Sequence, residues 1–218
     1  MTDFSAARRH MVDGQVRPNN VTDLRVISAM LEVPRERFVP PAATALAYLD
    51  LDLAVGEGAS VRCLLKPMVL AKLIHAAEIE PTDRVLDVGC AGGYAAAVLA
   101  RLADHVVALE QDASLANTAR AALSTLPNVE VVGGPLVDGW AKAGPYDVIL
   151  LEGATEIEPQ AFCRQLKDGG RLVCVLGLAP GASAMLYRRS GSELGGRAIF
   201  DASAALLPGF AKPAVFAF

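Results

Sequence analysis

Val85-Leu86-Asp87-Val88-Gly89-Cys90-Ala91-Gly92-Gly93-Tyr94, with the Ala-rich apolar run that follows it to Leu102, decides how the rest of the chain reads. An apolar run closed by an acid and then by small residues has the pattern of a buried strand, a tight turn and a helix. A second apolar run, His105 to Glu110, again ends in an acid. Strand, small-residue loop, helix, strand and terminal carboxylate together make a nucleotide-binding unit. The small residues let backbone N–H groups approach a ligand, and a carboxylate at Glu110 can accept hydrogen bonds from both hydroxyls of a ribose. The loop does not keep the GxGxxG register of a dinucleotide enzyme; it reads Gly89-x-Ala91-x-Gly93. Asp87, two residues before the first glycine, would repel a pyrophosphate but would pair with an ammonium group. S-adenosyl-L-methionine (SAM) carries such a group, so the expectation turns from NAD to SAM. The expected cofactor contacts here are Asp87, Gly89, Cys90, Ala91, Gly93 and Glu110.

The 218 residues suffice for one α/β domain with a sizeable core. With 53% hydrophobic and 20% charged residues, disorder is disfavoured. No apolar run approaches the roughly 20 residues of a membrane helix, and no apolar h-region follows the N-terminal ten residues, so neither a membrane span nor a signal peptide is expected. The Arg8-Arg9 pair reads as a solvated helix face. The net charge of −4, without a basic stripe, disfavours nucleic-acid binding. Cys63, Cys90, Cys163 and Cys174 form no CxxC pair and read as reduced thiols, which places the chain in the cytoplasm. The three histidines form no cluster, so no metal site is expected.

Residues 1 to about 77 read as a helical annex, and 78–218 as the SAM-binding α/β core of one domain, 1–218. Thr22 is the expected N-cap of a helix running to Val33, burying Leu24, Ile27, Met30 and Leu31. A short apolar helix follows from Met68 to Ala77. Beyond Asp83, strands at Arg84–Val88, Val106–Glu110, Val129–Val132, Tyr146–Leu151 and Arg171–Leu176 alternate with helices at Ala95–Leu102, Ser114–Leu126 and Pro159–Leu166; Gly169-Gly170 closes the last helix. Such alternation implies a mostly parallel sheet covered on both faces, a Rossmann-like α/β architecture. Ala184–Arg188, Arg197–Phe200 and Ala214–Phe218 read as strands of an antiparallel C-terminal edge.

In an open α/β sheet, ligands sit beyond the carboxyl ends of the strands. Leu136 is therefore placed to pack on the adenine face and Glu152 to face the methyl-transfer centre, and each has an equally good reading as an ordinary loop residue. Gln111, next to Glu110, is placed to line the adenine side. Arg62 and Lys66 read first as solvated loop charges and second as holders of an acidic substrate.

A further series of words carries a resemblance: Met11-Val-Asp-Gly-Gln15, Val21-Thr-Asp-Leu-Arg-Val26, Val33-Pro-Arg-Glu-Arg-Phe-Val-Pro40, Ala47-Tyr48-Leu-Asp50, Gly56-Glu-Gly58, Gly93-Tyr94, Pro145-Tyr-Asp147 and Gln165-Leu-Lys-Asp-Gly-Gly-Arg-Leu-Val173. Together they resemble the protein-L-isoaspartate O-methyltransferase family over most of the chain, to about Gly177. The resemblance implies a SAM-dependent Rossmann-like methyltransferase that esterifies the free carboxylate of isoaspartyl residues in damaged proteins or peptides. The ester collapses to a succinimide, a repair route back to aspartate. Three departures stand out. The family's hydroxyl-bearing loop ending in Ser-Gln-Pro is replaced by Ala59-Ser60-Val61-Arg62-Cys63-Leu64-Leu65-Lys66-Pro67, with Ser60 the one hydroxyl left. The usual Gly-Asp-Gly reads Gly133-Gly134-Pro135, with Asp138-Gly139-Trp140 following, and Ala91 replaces a glycine, a mild change where φ is negative. Three outcomes stay open: an isoaspartyl enzyme, a methyltransferase with another acceptor, and an inactive SAM- or S-adenosylhomocysteine-binding relative. No catalytic residue is singled out, because a carboxylate is already ionised at neutral pH and asks for no general base.

Overall fold

The computed structural model describes residues 3–56 and 62–213. Its centre is a sheet of seven strands among the described residues: β3 (Arg84–Val88), β4 (His105–Glu110), β5 (Val129–Gly133), β6 (Tyr146–Thr155), β7 (Leu166–Leu176), β8 (Ser183–Ser190) and β9 (Glu193–Asp201). The order is β5-β4-β3-β6-β7-β8-β9. The first five run parallel, and β8 and β9 close the edge antiparallel. This is the Rossmann-like α/β architecture expected from the alternation. The expected strand Ala214–Phe218 lies outside the described residues.

Each central strand divides its side chains between two cores by the two-residue period of a strand. Val85, Val106, Ala108, Val148 and Leu150 face α3 (Pro67–Ala76), α4 (Tyr94–Leu99) and α5 (Ala113–Leu123). Leu86, Val88, Val107, Leu109, Ile149 and Leu151 face the other way. The second face is covered by 3₁₀ turns at Leu136–Asp138 and Gln160–Gln165 and by Leu207 and Phe210. The expected helix Pro159–Leu166 is therefore a 3₁₀ turn, stacked through Phe162 on Phe210. Gly169-Gly170 does not close a helix; it lies within β7, where the pairing with β6 shifts register.

Alanine makes α4 thin. All its residues are buried, with α2 (Leu24–Glu32) packed on one side and the sheet on the other. Asp23, not Thr22, caps α2, its carboxylate accepting from Arg25 N–H at 2.8 Å. The buried face of α2 is Val26, Ile27, Ala29 and Met30, and Leu24 is 72% exposed, so the first apolar residue belongs to the turn rather than the stripe. Ahead of it, α1 (Phe4–Met11) sends half-buried Arg8 to Tyr48 Oη and the Leu31 carbonyl, so Arg8 is an internal tie while Arg9 remains exposed.

The annex is not purely helical. β1 (Leu53–Val55) and β2 (Arg62–Leu64) pair as a small antiparallel hairpin outside the main sheet. Arg35 is fully buried and pins this region: Nε donates to Ala47 O at 2.8 Å, Nη2 to Leu65 O at 2.9 Å, and the guanidinium lies 4.7 Å from the Tyr94 ring centre. Arg35→Met keeps much of the volume but strands two buried carbonyls. The expected loss is about 2–3 kcal/mol, or roughly 5–10 °C in Tm for a chain of this size, read by thermal unfolding.

Candidate functional site

The two-residue period of the strands sets the chemistry of their tips. Asp87 shares the face of Val85; Glu110 shares that of Val106 and Ala108; Glu152 shares that of Val148 and Leu150. Asp87 pairs with Ala108 on one side and Leu150 on the other. Glu110 and Glu152 therefore lie two residues further along, one on each flanking strand and on the same face as Asp87. All three are buried, at 0%, 0% and 2% exposure. They meet at β3, where the chain's connections turn to opposite sides of the sheet, which is where open α/β sheets place ligands.

Glu110 organises the loop. Its Oε2 accepts from Ala91 N–H at 2.9 Å, and its Oε1 accepts from Gln111 N–H at 2.9 Å and Asp112 N–H at 3.1 Å. Gly89 and Gly93 have φ of +84° and +94°, and Ala91 sits at φ +48°. The mild reading of Ala91 required negative φ; the residue instead occupies the left-handed region, which costs an L-residue of this kind about 1 kcal/mol. Gly92 is needed for approach, because a Cβ there would stand 3.0 Å from the Phe38 carbonyl of the annex. The Cys90 thiol is fully buried beneath the loop, and burial, with the charges of Asp87, Glu152 and Glu110 behind it, holds it well above the ordinary thiol range.

Asp87 and Glu152 face one another as a carboxyl pair. Burial is the main force pushing Asp87 up to about 7; contact with Glu152 and the Arg62 charge pull it down, and the Glu110 charge adds to the rise. Glu152 is raised well above its ordinary value, by burial first and then by the Asp87 charge. A shared proton is how such a pair settles. Both Asp87 carboxyl oxygens and Glu152 Oε1 are buried without a hydrogen-bond donor among the described residues. Two acids with orphaned acceptors, beside a third held by backbone N–H groups, fit the cationic methionine end of SAM.

The room above them is taken by the chain itself. Arg62, 3% exposed, donates from Nη2 to Gly89 O at 2.9 Å and lies 3.7 Å through Nε from Glu110 Oε2. A Cβ on Gly89 would stand 2.3 Å from Arg62 Nη2, and one on Gly153 would stand 2.7 Å from Leu207 Cδ2. Leu207 is carried there by a C-terminal segment that pairs with β6: Ala154 N–H donates to Ala205 O at 2.8 Å and Leu207 N–H to Ala154 O at 2.9 Å. Between Arg62, Glu152 and Leu207 only about 10 Å³ remains. The larger cleft nearby, about 580 Å³, lies along Phe38, Pro40, Gly92, Asp112 and Leu115.

Of the residues expected at the cofactor, the structure brings together Asp87, the glycine loop, Glu110 and Glu152. Gln111 has an exposed side chain and contributes only its N–H, and Leu136 is fully buried in the cluster that holds Leu207. Lys66 lines a separate cleft with Met68 and Asp201. Arg62 is buried and not a solvated charge, and Leu207 carries no sequence signal because its place depends on a C-terminal segment crossing β6. Ser60 lies outside the described residues.

The family model for protein-L-isoaspartate(D-aspartate) O-methyltransferase matches residues 6–197. A protein-L-isoaspartate O-methyltransferase of Pelotomaculum thermopropionicum is 41% identical over 185 residues, covering 84% of this chain and 80% of that protein. One from Methylorubrum extorquens is 40% identical over 192 residues, covering 88% and 83%. A solved protein-L-isoaspartate O-methyltransferase superposes with a TM-score of 0.81 at 26% identity, over 93% of this chain and 66% of that one. A Plasmodium falciparum protein described in the same terms and solved with S-adenosyl-L-homocysteine shares the fold, with a TM-score of 0.75 at 16% identity over 95% of this chain and 99% of that one. By sequence along nearly its whole described length, and by the shape of its sheet, the chain belongs to the protein-L-isoaspartate (D-aspartate) O-methyltransferase family.

Proposed function

We propose that this chain is a SAM-dependent methyltransferase that esterifies the free carboxylate of isoaspartyl residues in proteins and peptides. One observation carries the reading: in a member of this family, three buried carboxylates gather on one sheet face at the switch point, with acceptor oxygens left without donors. SAM supplies, when bound, an electrophilic methyl group on a sulfonium. The chain's own part is electrostatic and steric. Asp87 and Glu152 supply negative charge for a cationic ligand, Glu110 supplies acceptors for ribose hydroxyls, and the annex over Gly92 keeps water out. An ionised acceptor needs orientation rather than deprotonation. The free cysteines at 63, 90, 163 and 174 support placing the protein in a reducing compartment, the cytoplasm.

Transfer of labelled methyl from SAM to an isoaspartyl peptide, with the aspartyl peptide as control, tests the acceptor. Ester on the isoaspartyl peptide alone is the expected result. No transfer despite intact SAM binding would shift the reading to another acceptor, for which the Arg62-Cys63-Leu64-Leu65 sequence in place of the family's hydroxyl loop is the reason.

Glu110→Ala removes the ribose acceptors together with the support of three loop N–H groups. Calorimetry is expected to show SAM binding weakened at least tenfold, on the order of 1.4 kcal/mol; an unchanged constant counts against the assignment.

The pH dependence has a definite sign. Asp87 sits above its unfolded value of 3.8, at about 7, so the ligand-free fold favours its protonated form. That contribution is complete below 3.8 and is lost as pH rises toward 7. A cationic ligand favours the ionised form, so SAM affinity is expected to rise through pH 7 while ligand-free stability falls over the same interval. Asp87→Asn should flatten both slopes, as read by calorimetry and thermal unfolding across pH 5 to 8.

A further inference from the structure

Arg62 is a poor resident of the place it occupies. Among the described residues its Nε has no hydrogen-bond partner, its contact with Glu110 is 3.7 Å, and the Oε2 it faces already accepts from Ala91 N–H. Its charge acts on all three buried carboxylates, Asp87, Glu110 and Glu152, while the buried Arg35 charge reaches Glu152 alone of the three. Such an arrangement holds by charge and lacks the paired donors of a bidentate arginine. Its anchorage is light as well. Arg62 opens β2, three residues long and, among the described residues, paired only with β1 in a hairpin outside the main sheet. Leu207 rides on an irregular segment held to β6 by two backbone hydrogen bonds at Ala154, with Phe210 beyond it accepting from Glu156 N–H, and not by a full strand ladder. Two-stranded hairpins and tail segments of this kind open at low free-energy cost compared with a central sheet.

We infer that Arg62 and Leu207 form a resident plug of the cofactor seat, in which Arg62 is an internal counter-cation that the incoming donor replaces, cation for cation. The inference rests on the SAM reading of the seat. In the plugged state the carboxylates keep a positive partner and the apolar wall keeps Leu207 against Gly153. Donor binding must then lift the Arg62 side chain off Gly89 and draw Leu207 away from Gly153, so the affinity observed is the intrinsic one multiplied by the fraction of molecules already open. The plug thus sets the donor concentration at which the enzyme loads.

The test compares wild-type protein with Arg62→Gln and Leu207→Ala, using S-adenosylhomocysteine, which retains the ammonium group. Calorimetry gives affinity, and thermal unfolding with and without the ligand gives stability. The inference expects Arg62→Gln to bind at least tenfold more tightly than wild type and Leu207→Ala several-fold more tightly. It also expects ligand-free Arg62→Gln to melt lower than wild type, because the buried acids lose the guanidinium beside them, and to recover most of that loss on adding ligand. Equal or weaker binding in both variants, with wild type binding normally, overturns the plug and leaves the cofactor reading intact. Failure of all three proteins to bind, each folded by its melting transition, overturns the cofactor reading and the plug with it.

Discussion

Burying three carboxylates side by side at the ends of parallel strands is expensive, and the architecture around Asp87, Glu110 and Glu152 is organised by how that cost is met. Each acid meets it differently. Glu110 is satisfied by backbone N–H groups of the loops it holds in place. Asp87 and Glu152 lean on a proton and on each other. Arg62 brings the positive charge that a buried set of this kind requires. The same residues that a cationic ligand would want are thus the residues least content without a cation.

The packing around them follows from that demand for closeness. A glycine-rich turn lets Glu110 reach the Ala91 N–H, and an alanine helix lets α2 and the annex come down over the turn until the Phe38 carbonyl nearly touches Gly92. Helices crowd one face of the sheet, while short turns and the C-terminal segment seal the other. The acids lie on the helix face and Leu207 comes from the other side, past the strand ends. The seat is therefore a junction of the two cores rather than part of either.

Strand positions were readable in the sequence because short continuous apolar runs between turn residues mark them, and the face shared by Asp87, Glu110 and Glu152 follows from counting residues along three strands. The antiparallel edge at β8 and β9 was readable from strands with no helix between them. Other features were hidden for physical reasons. The turn at Gln160–Gln165 has helical composition but too few residues to sustain an α-helix between the strands it joins. Ala91 gives no sign in sequence that its backbone turns left-handed, since Glu110 imposes that through a long-range hydrogen bond. Arg62 looks like any loop cation until the hairpin folds it inward, and a tail residue such as Leu207 has no local pattern that names its partner.

The chain contains one tryptophan, and its position has a spectroscopic consequence. Trp140 follows the turn after β5, its ring against Gly134, with Lys142 Nζ 5.1 Å from the ring centre and its backbone N–H held by Gln165. An indole with a nearby ammonium group emits with a wavelength and yield that respond to small displacements of that charge. The wall between Gly134 and the Leu136 turn therefore carries its own fluorophore, and rearrangement at that end of the sheet can be timed in the unlabelled protein.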